Sequence, residues 1–174
     1  MTMLVRLALA ALLLGAAPAA QAQTDKPLSL ADPQAFVGQL AALGYAPDPL
    51  VAGETPTSSL TVDGTEYVVA FGGCIVNRDC RYLILLGKYD DVVNPPAQWV
   101  AKENADFDYI KVWVADDGQL TYSTGLVVEG MSAETFKASV EMFVDSAADL
   151  AKEAVAAGLT KDAADADVTK RQAV

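Results

Sequence analysis

Two cysteines offer the clearest chemistry in the sequence. Cys74 and Cys80 are the only cysteines of the chain, and five residues separate them, between two apolar segments with the composition of β-strands. In an oxidising compartment, two thiols placed where strand ends meet form a structural disulfide. A redox site is the alternative, but a thioredoxin-like motif has two intervening residues and a helix N-terminus that lowers the thiol pKa. The spacing therefore predicts a disulfide that closes a β-hairpin.

Other catalytic or metal-binding chemistry has little support. The chain contains no histidine, which removes the commonest general base and metal ligand. A glycosidase needs two acids that face each other across a cleft, and the sequence singles out no such pair. We therefore predict no enzyme activity, no cofactor and no metal site. Carboxylates do cluster near predicted turns, without the pattern of a calcium loop, at Asp90-Asp91, Asp106 with Asp108, and Asp116-Asp117.

Aromatic side chains in the second half of the chain are candidates for binding a peptide. Trp99, Tyr109, Trp113 and Tyr122 could line a groove, because aromatic residues dominate the energetics of interfaces. The alternative is that they pack in the core, since a small domain needs most of its large aromatic residues for burial. The sequence leaves both interpretations open.

The first half of the chain predicts one helix and a three-stranded meander. Asp32-Pro33 has the pattern of an N-cap followed by a first helical residue, and Gly44 ends the helix. The hydrophobic period then changes to two, and Asp63-Gly64 favours a type I′ turn between the first two strands. The predicted elements of this half are a helix at 32–44 and strands at 60–62, 66–71 and 81–89.

The third of these strands carries a continuous apolar run at residues 82–86. Such a run predicts a central strand that is covered on both faces. Gly72-Gly73 precedes the first cysteine and lacks the lysine of a phosphate loop. We expect these two glycines to relieve crowding beside the disulfide.

The second half predicts a helix, a second hairpin and a long final helix. Asp116-Asp117-Gly118 joins the two strands of the hairpin, and Ser132 caps the final helix, which carries an apolar stripe. The chain's own sheet is the expected partner of this stripe, and a second copy in a homodimer is the alternative. The fold class is therefore α+β, an antiparallel sheet of about five strands with helices packed on it. The predicted ranges are a helix at 94–104, strands at 108–115 and 119–128, and a helix at 132–158.

The two ends of the chain predict export and a tail. Residues 1–22 have the pattern of a signal peptide, with an apolar run too short to span a bilayer; an uncleaved anchor is the alternative. Residues 23–158 form a single predicted domain, and residues 159–174 have the composition of a disordered tail. The net charge of −11 repels nucleic-acid phosphates and anionic headgroups. We expect a periplasmic or secreted protein with neither nucleic-acid binding nor stable membrane insertion.

The chain contains a distinctive set of segments at 71–74 with 79–83, 99–104, 116–120 and 128–132. Together these segments resemble the YbjN-like family of bacterial sensory transduction regulators. The resemblance implies a fold similar to that of type III secretion chaperones, which are acidic, often dimeric, and bind extended segments of other proteins without catalysis. Exported members commonly have the paired-cysteine hairpin, whereas the family's basic Asn-Arg stretch is replaced here by Asn104-Ala105-Asp106.

Two hypotheses of function follow. The first is an exported, chaperone-like or regulatory module that binds a protein or an extended peptide segment, with Trp99, Asn104, Tyr109 and Trp113 as the expected contact residues. The second is a small-ligand binder or an enzyme built around the acidic loops. A closed cavity lined by convergent carboxylates would favour the second hypothesis.

Overall fold

The computed structural model describes residues 27–161. The predicted signal peptide therefore lies outside the described residues, as do residues 162–174 of the predicted tail. At the start of that predicted tail, Thr160 forms an isolated antiparallel bridge with Val92. The elements are α1 (Pro33–Ala42), β1 (Thr57–Val62), β2 (Thr65–Gly72), β3 (Tyr82–Val93), α2 (Ala97–Asp106), β4 (Lys111–Val114), β5 (Gln119–Leu126) and α3 (Ala133–Ala156).

Five strands form one antiparallel sheet in the order β1-β2-β3-β5-β4. This confirms the predicted α+β class and the predicted order of helices and strands. The hairpin turn at Asp63-Gly64 has positive φ angles at both residues, 50° and 81°, as a type I′ turn requires. Several bounds differ from the prediction by three or more residues: β1 begins at Thr57, α2 begins at Ala97, β3 continues to Val93, and β4 begins only at Lys111.

The helix α3 covers one face of the sheet and contacts β3 and β5. Its N-cap, Ser132, accepts a hydrogen bond from the Thr135 N–H. The helix α1 lies on the same face, since the Phe36 ring is 5.9 Å from the Phe71 ring of β2 and 5.8 Å from Phe136 of α3, both edge to face. Full burial of one such side chain contributes roughly 1.5–3 kcal/mol. The apolar stripe of α3 thus packs on its own sheet through Phe136, Val140, Phe143, Ala147, Leu150 and Ala154.

The central strand β3 is covered on one face only. Leu83 and Leu85 point toward the helices and are fully buried, whereas the alternate residues Ile84 and Leu86 are half-buried and Tyr82 is 41% exposed. The prediction that both faces are covered was therefore wrong. The reason is that α1 and α3 share one face, while α2 packs against β4 at the end of the sheet.

Two glycines in the sheet each lie under a tyrosine ring of the neighbouring strand. A Cβ atom at Gly72 would lie 2.0 Å from Tyr82 Cε2, and one at Gly87 would lie 2.4 Å from Tyr122 Cζ. Gly72 pairs with Tyr82 and Gly87 with Tyr122 across the strands. The crowding that Gly72 relieves comes from Tyr82, and not from the disulfide as predicted.

Candidate functional site

The cysteine loop is fixed between β2 and β3. The Sγ atoms of Cys74 and Cys80 are 2.10 Å apart, at bonding distance. The Cys80 N–H donates to the Leu30 carbonyl, and Arg78 forms a 3.1 Å ion pair with Asp32, the N-cap of α1. The loop therefore ties the β2–β3 hairpin to the start of the first helix, which is a structural role.

The face of the sheet opposite α1 and α3, here called the open face, is only partly covered. Side chains alternate between the two faces of a strand, so the register identifies the residues on this face. Cross-strand neighbours on it include Val68 beside Leu86 and Ala70 beside Ile84. Residues of the open face include Val68, Ala70, Tyr82, Ile84, Leu86, Lys88, Lys111, Trp113, Thr121, Ser123 and Gly125.

An apolar strip runs across the middle of the open face. Val68 is 39% exposed and Tyr82 is 41% exposed, and the half-buried Ile84 and Leu86 lie between them. Lys88 at one end of the strip forms a 3.1 Å ion pair with Asp117. The open face thus combines apolar contact area with a charged rim, an arrangement typical of protein-binding surfaces.

A groove of about 440 Å³ lies at one end of the open face. It forms because β4 begins at Lys111 whereas the facing strand β5 continues to Leu126, so residues 108–110 diverge from β5. We call it the β4–β5 groove. Its lining consists of Tyr82, Ile84, Asp108, Tyr109, Ile110, Lys111, Ser123, Thr124 and Gly125.

The structure separates the four predicted contact residues. Tyr109 lines the β4–β5 groove, and its hydroxyl donates to the Ser139 carbonyl of α3 at 3.1 Å. Trp113 is half-buried on the open face. Trp99 lies on α2 and is half-buried against the core. Trp113 therefore lies on the open face and Tyr109 lies beside it, with its hydroxyl turned toward α3, whereas Trp99 lies elsewhere.

Asn104, the fourth predicted residue, binds the outer edge of β4. The Val112 N–H donates to Asn104 Oδ1 at 2.9 Å, and Asn104 Nδ2 donates to the Val112 carbonyl at 2.6 Å. One side-chain amide thus takes the place of a neighbouring strand and satisfies both backbone groups. The residues that sequence reasoning missed are Tyr82, Ile84 and Gly125, because the continuous apolar run of β3 does not show which of its faces stays open.

The carboxylates of the alternative hypothesis do not converge. Asp90 accepts a 3.1 Å hydrogen bond from Gln119, and Asp106 forms a 2.9 Å ion pair with Lys102. The pKa of Asp117 is lowered by a hydrogen bond from the Gln119 N–H and by Lys88. Within residues 27–161, no group of three or more Asp, Glu or Cys side chains is placed to hold a metal ion.

A second depression, of about 770 Å³, lies between the end of α1 and the start of α3. Glu134, Lys137 and Glu141 contribute its charged groups, and all three are exposed. Because these charged side chains are exposed to solvent, the depression is not a closed, water-excluded site.

Buried tyrosines on the covered face are the remaining candidates for chemistry. Burial raises the pKa of Tyr89 and of Tyr122, whose rings are 4.7 Å apart. The Tyr89 hydroxyl donates to the Ala147 carbonyl of α3. A raised pKa keeps the phenol neutral, which is unsuitable for a nucleophile, so these hydroxyl groups act in packing and hydrogen bonding.

None of the helices among residues 27–161 combines the length and the apolar character needed to cross a bilayer. No family model matches the chain, and no curated protein matches it. Among solved structures, a crystal structure of the Yersinia pestis type III secretion chaperone SycH in complex with a stable fragment of YscM2 is similar. Its sequence is 15% identical, the match covers 67% of this chain and 98% of that chain, and the TM-score is 0.45.

Proposed function

We propose that this chain is a non-enzymatic protein-interaction module, chaperone-like or regulatory, that holds an extended segment of a partner protein on the open face. The observation that carries the proposal is the apolar strip on that face, with Val68 39% and Tyr82 41% exposed. Neighbouring apolar side chains that share one sheet face and that no helix covers support this proposal, because contiguous apolar patches are common at interaction sites.

The shape of this surface suits a polypeptide better than a small metabolite. The strip crosses the strands β2 and β3, and the open β4–β5 groove continues it toward β5. A small-molecule site would enclose most of its ligand, whereas an extended segment contacts a partner along its length. The net charge of −11 would favour a cationic partner through long-range attraction.

The cellular context is part of the same proposal. The chain is a YbjN-like protein whose residues 1–22 direct export and are removed, leaving one domain, 23–158, and a tail. Expression of the full chain in a Gram-negative host, followed by fractionation and N-terminal sequencing, tests this. We expect periplasmic or secreted protein that begins at Gln23 and carries no free thiol after alkylation. Protein retained in the cytoplasm with residues 1–22 attached would contradict export.

Site-specific photocrosslinking tests the binding surface. A benzoylphenylalanine in place of Tyr82 on the open face is compared with one in place of Met142, which is 51% exposed on α3. We expect adducts of discrete mass from Tyr82 only, and mass spectrometry should locate them in a recurring segment of one partner. A homodimer through the open face would give an adduct of twice the mass of the chain. Equal labelling from both positions, or none from Tyr82, would refute the proposed surface.

A further inference from the structure

We propose that the partner segment enters the β4–β5 groove as an added β-strand, that its main chain binds the backbone of Gly125, and that the segment is positively charged. This inference rests on the proposed function, because it names how the open face holds its partner and which chemistry the partner has. Strand addition is one of the recurring ways in which proteins recognise extended peptides.

The direction of the backbone groups in β5 follows from Asn104. Because Asn104 binds both the N–H and the C=O of Val112, those two groups point away from β5. Backbone groups alternate in direction along a strand, so the neighbours of Val112 in β4 bond to β5 at Ser123 and at Thr121. Gly125 lies two residues beyond Ser123, so its N–H and C=O point to the same side as those of Ser123.

At Gly125 that side of β5 has no partner strand. Continued pairing of β4 with β5 would place Tyr109 opposite Gly125, yet β4 begins only at Lys111. Within residues 27–161, no backbone hydrogen bond joins Tyr109 to Gly125. Gly125 is exposed and lines the groove. One backbone donor and one backbone acceptor therefore face the groove without a partner strand.

The groove is open to solvent, so an extended chain can lie in it without being enclosed. Its volume is about 440 Å³. An added strand lies about 4.8 Å from its neighbour and places alternate side chains on one face. In an antiparallel pairing, the residue opposite Gly125 would place its own side chain on the open face near Ile84, the cross-strand neighbour of Gly125 on β3. This favours an apolar residue there and at every second position of the segment.

Charge selects among such segments. Asp108 forms one wall of the groove, and within the described part of the chain its carboxylate makes no ion pair or hydrogen bond. Lys111 contributes the opposite charge at the same wall, so the local charges balance. The net charge of −11 on the whole chain then determines the preference, and it attracts a segment with Lys or Arg between the apolar residues.

The test uses the full-length oxidised protein and short peptides selected from a random phage-displayed library. The peptide that binds most tightly is synthesised in two forms, each with N-methyl groups on the backbone amides of every second residue, so that the two forms cover the two alternating sets. The affinity of each form is measured by fluorescence anisotropy. Methylation of the set that faces Gly125 should weaken binding roughly tenfold because a main-chain hydrogen bond is lost, and methylation of the other set should leave affinity unchanged. Asp108→Asn should weaken binding several-fold. The matched variant Lys111→Gln should not weaken it.

The outcomes separate this inference from the proposed function. A selected peptide that binds the open face but tolerates both methylation patterns would overturn strand addition and leave the proposed function standing. Selected peptides that are acidic, or that weaken with Lys111→Gln instead of Asp108→Asn, would overturn the charge assignment. A library without any binder would overturn the inference, and together with the absence of crosslinks from Tyr82 it would overturn the proposed function.

Discussion

A single methyl group added at Gly87 should destabilise the sheet, because the neighbouring tyrosine ring is buried. Gly87 lies in β3 directly opposite Tyr122 of β5 on the covered face. A Cβ atom there would lie 2.4 Å from Tyr122 Cζ and 2.4 Å from the hydroxyl oxygen. Ordinary carbon contacts are about 3.5–4.0 Å, so Gly87→Ala requires the ring to move by about 1 Å.

The Tyr122 ring has little space into which it can move. It is 2% exposed, and its centroid lies 4.7 Å from that of Tyr89 and 5.7 Å from that of Phe143. Overpacking of this kind costs roughly 1–3 kcal/mol, and crowding on both sides of the ring favours the upper end. Replacing a strand glycine returns about 0.5–1 kcal/mol of backbone entropy. We therefore expect Gly87→Ala to lower the free energy of unfolding by about 2 kcal/mol.

Equilibrium unfolding in urea, followed by tryptophan fluorescence, measures this change. With a slope of about 2 kcal/mol per molar urea, the midpoint should fall by about 1 M while the slope stays constant. The matched control is Gly125→Ala, also in a strand, where a Cβ atom has only one neighbour at 4.0 Å. That variant should be as stable as the wild type or slightly more stable.

A double-mutant cycle provides the decisive comparison. In a Tyr122→Leu background the obstructing ring atoms are absent, so Gly87→Ala should cost almost nothing or stabilise slightly. If Gly87→Ala lowers the midpoint equally in both backgrounds, the clash with Tyr122 is not the cause and the reasoning is refuted. An equal loss for Gly125→Ala would refute it as well.

Three further predictions concern the disulfide, the first helix and a buried acid. The double variant Cys74→Ser, Cys80→Ser should lower the free energy of unfolding, measured in urea, by about 2 kcal/mol, because the disulfide closes a short loop and so restricts the unfolded chain. A wild-type protein that is equally stable with and without a reductant would contradict this. The hydrogen bond from Arg78 lowers the pKa of Asp32 in the folded protein. Ionised Asp32 therefore stabilises the fold in full at pH values above the pKa of this group in the unfolded chain, and the stabilisation is lost as the pH falls through the pKa in the folded protein. The advantage of wild type over Asp32→Asn should therefore be present at neutral pH and vanish in acid. Glu103 is fully buried and one of its carboxylate oxygens has no hydrogen-bond partner in the described chain, so Glu103→Met should raise stability by about 1 kcal/mol.

Local signals account for what could be predicted of the fold. Asp32 does cap α1, accepting hydrogen bonds from the N–H groups of Gln34 and Ala35. Asp63-Gly64 forms the expected turn. Caps, turns and hydrophobic periods depend on residues a few positions apart, so the sequence displays them directly.

The candidate site was predicted only in part because its geometry depends on distant pairing. Tyr109 and Trp113 are near the open face, but Asn104 is occupied with Val112 at the edge of β4. The aromatic residue most exposed on that face, Tyr82, lies in an apolar run that we interpreted as fully covered. An apolar run in a strand has the same composition whether one face or both are covered.

By itself, the sequence determined the class of the fold, the order of its elements and the apolar stripe of α3, because the hydrophobic periods of helices and strands depend on residues that are close together in the chain. Only the tertiary structure decided which face of β3 stays open and that Gly125 faces a gap. Both depend on the register between β3, β5 and β4, and on the placement of α1 and α3 on one face. Such contacts join residues far apart in the chain, and no local pattern specifies them.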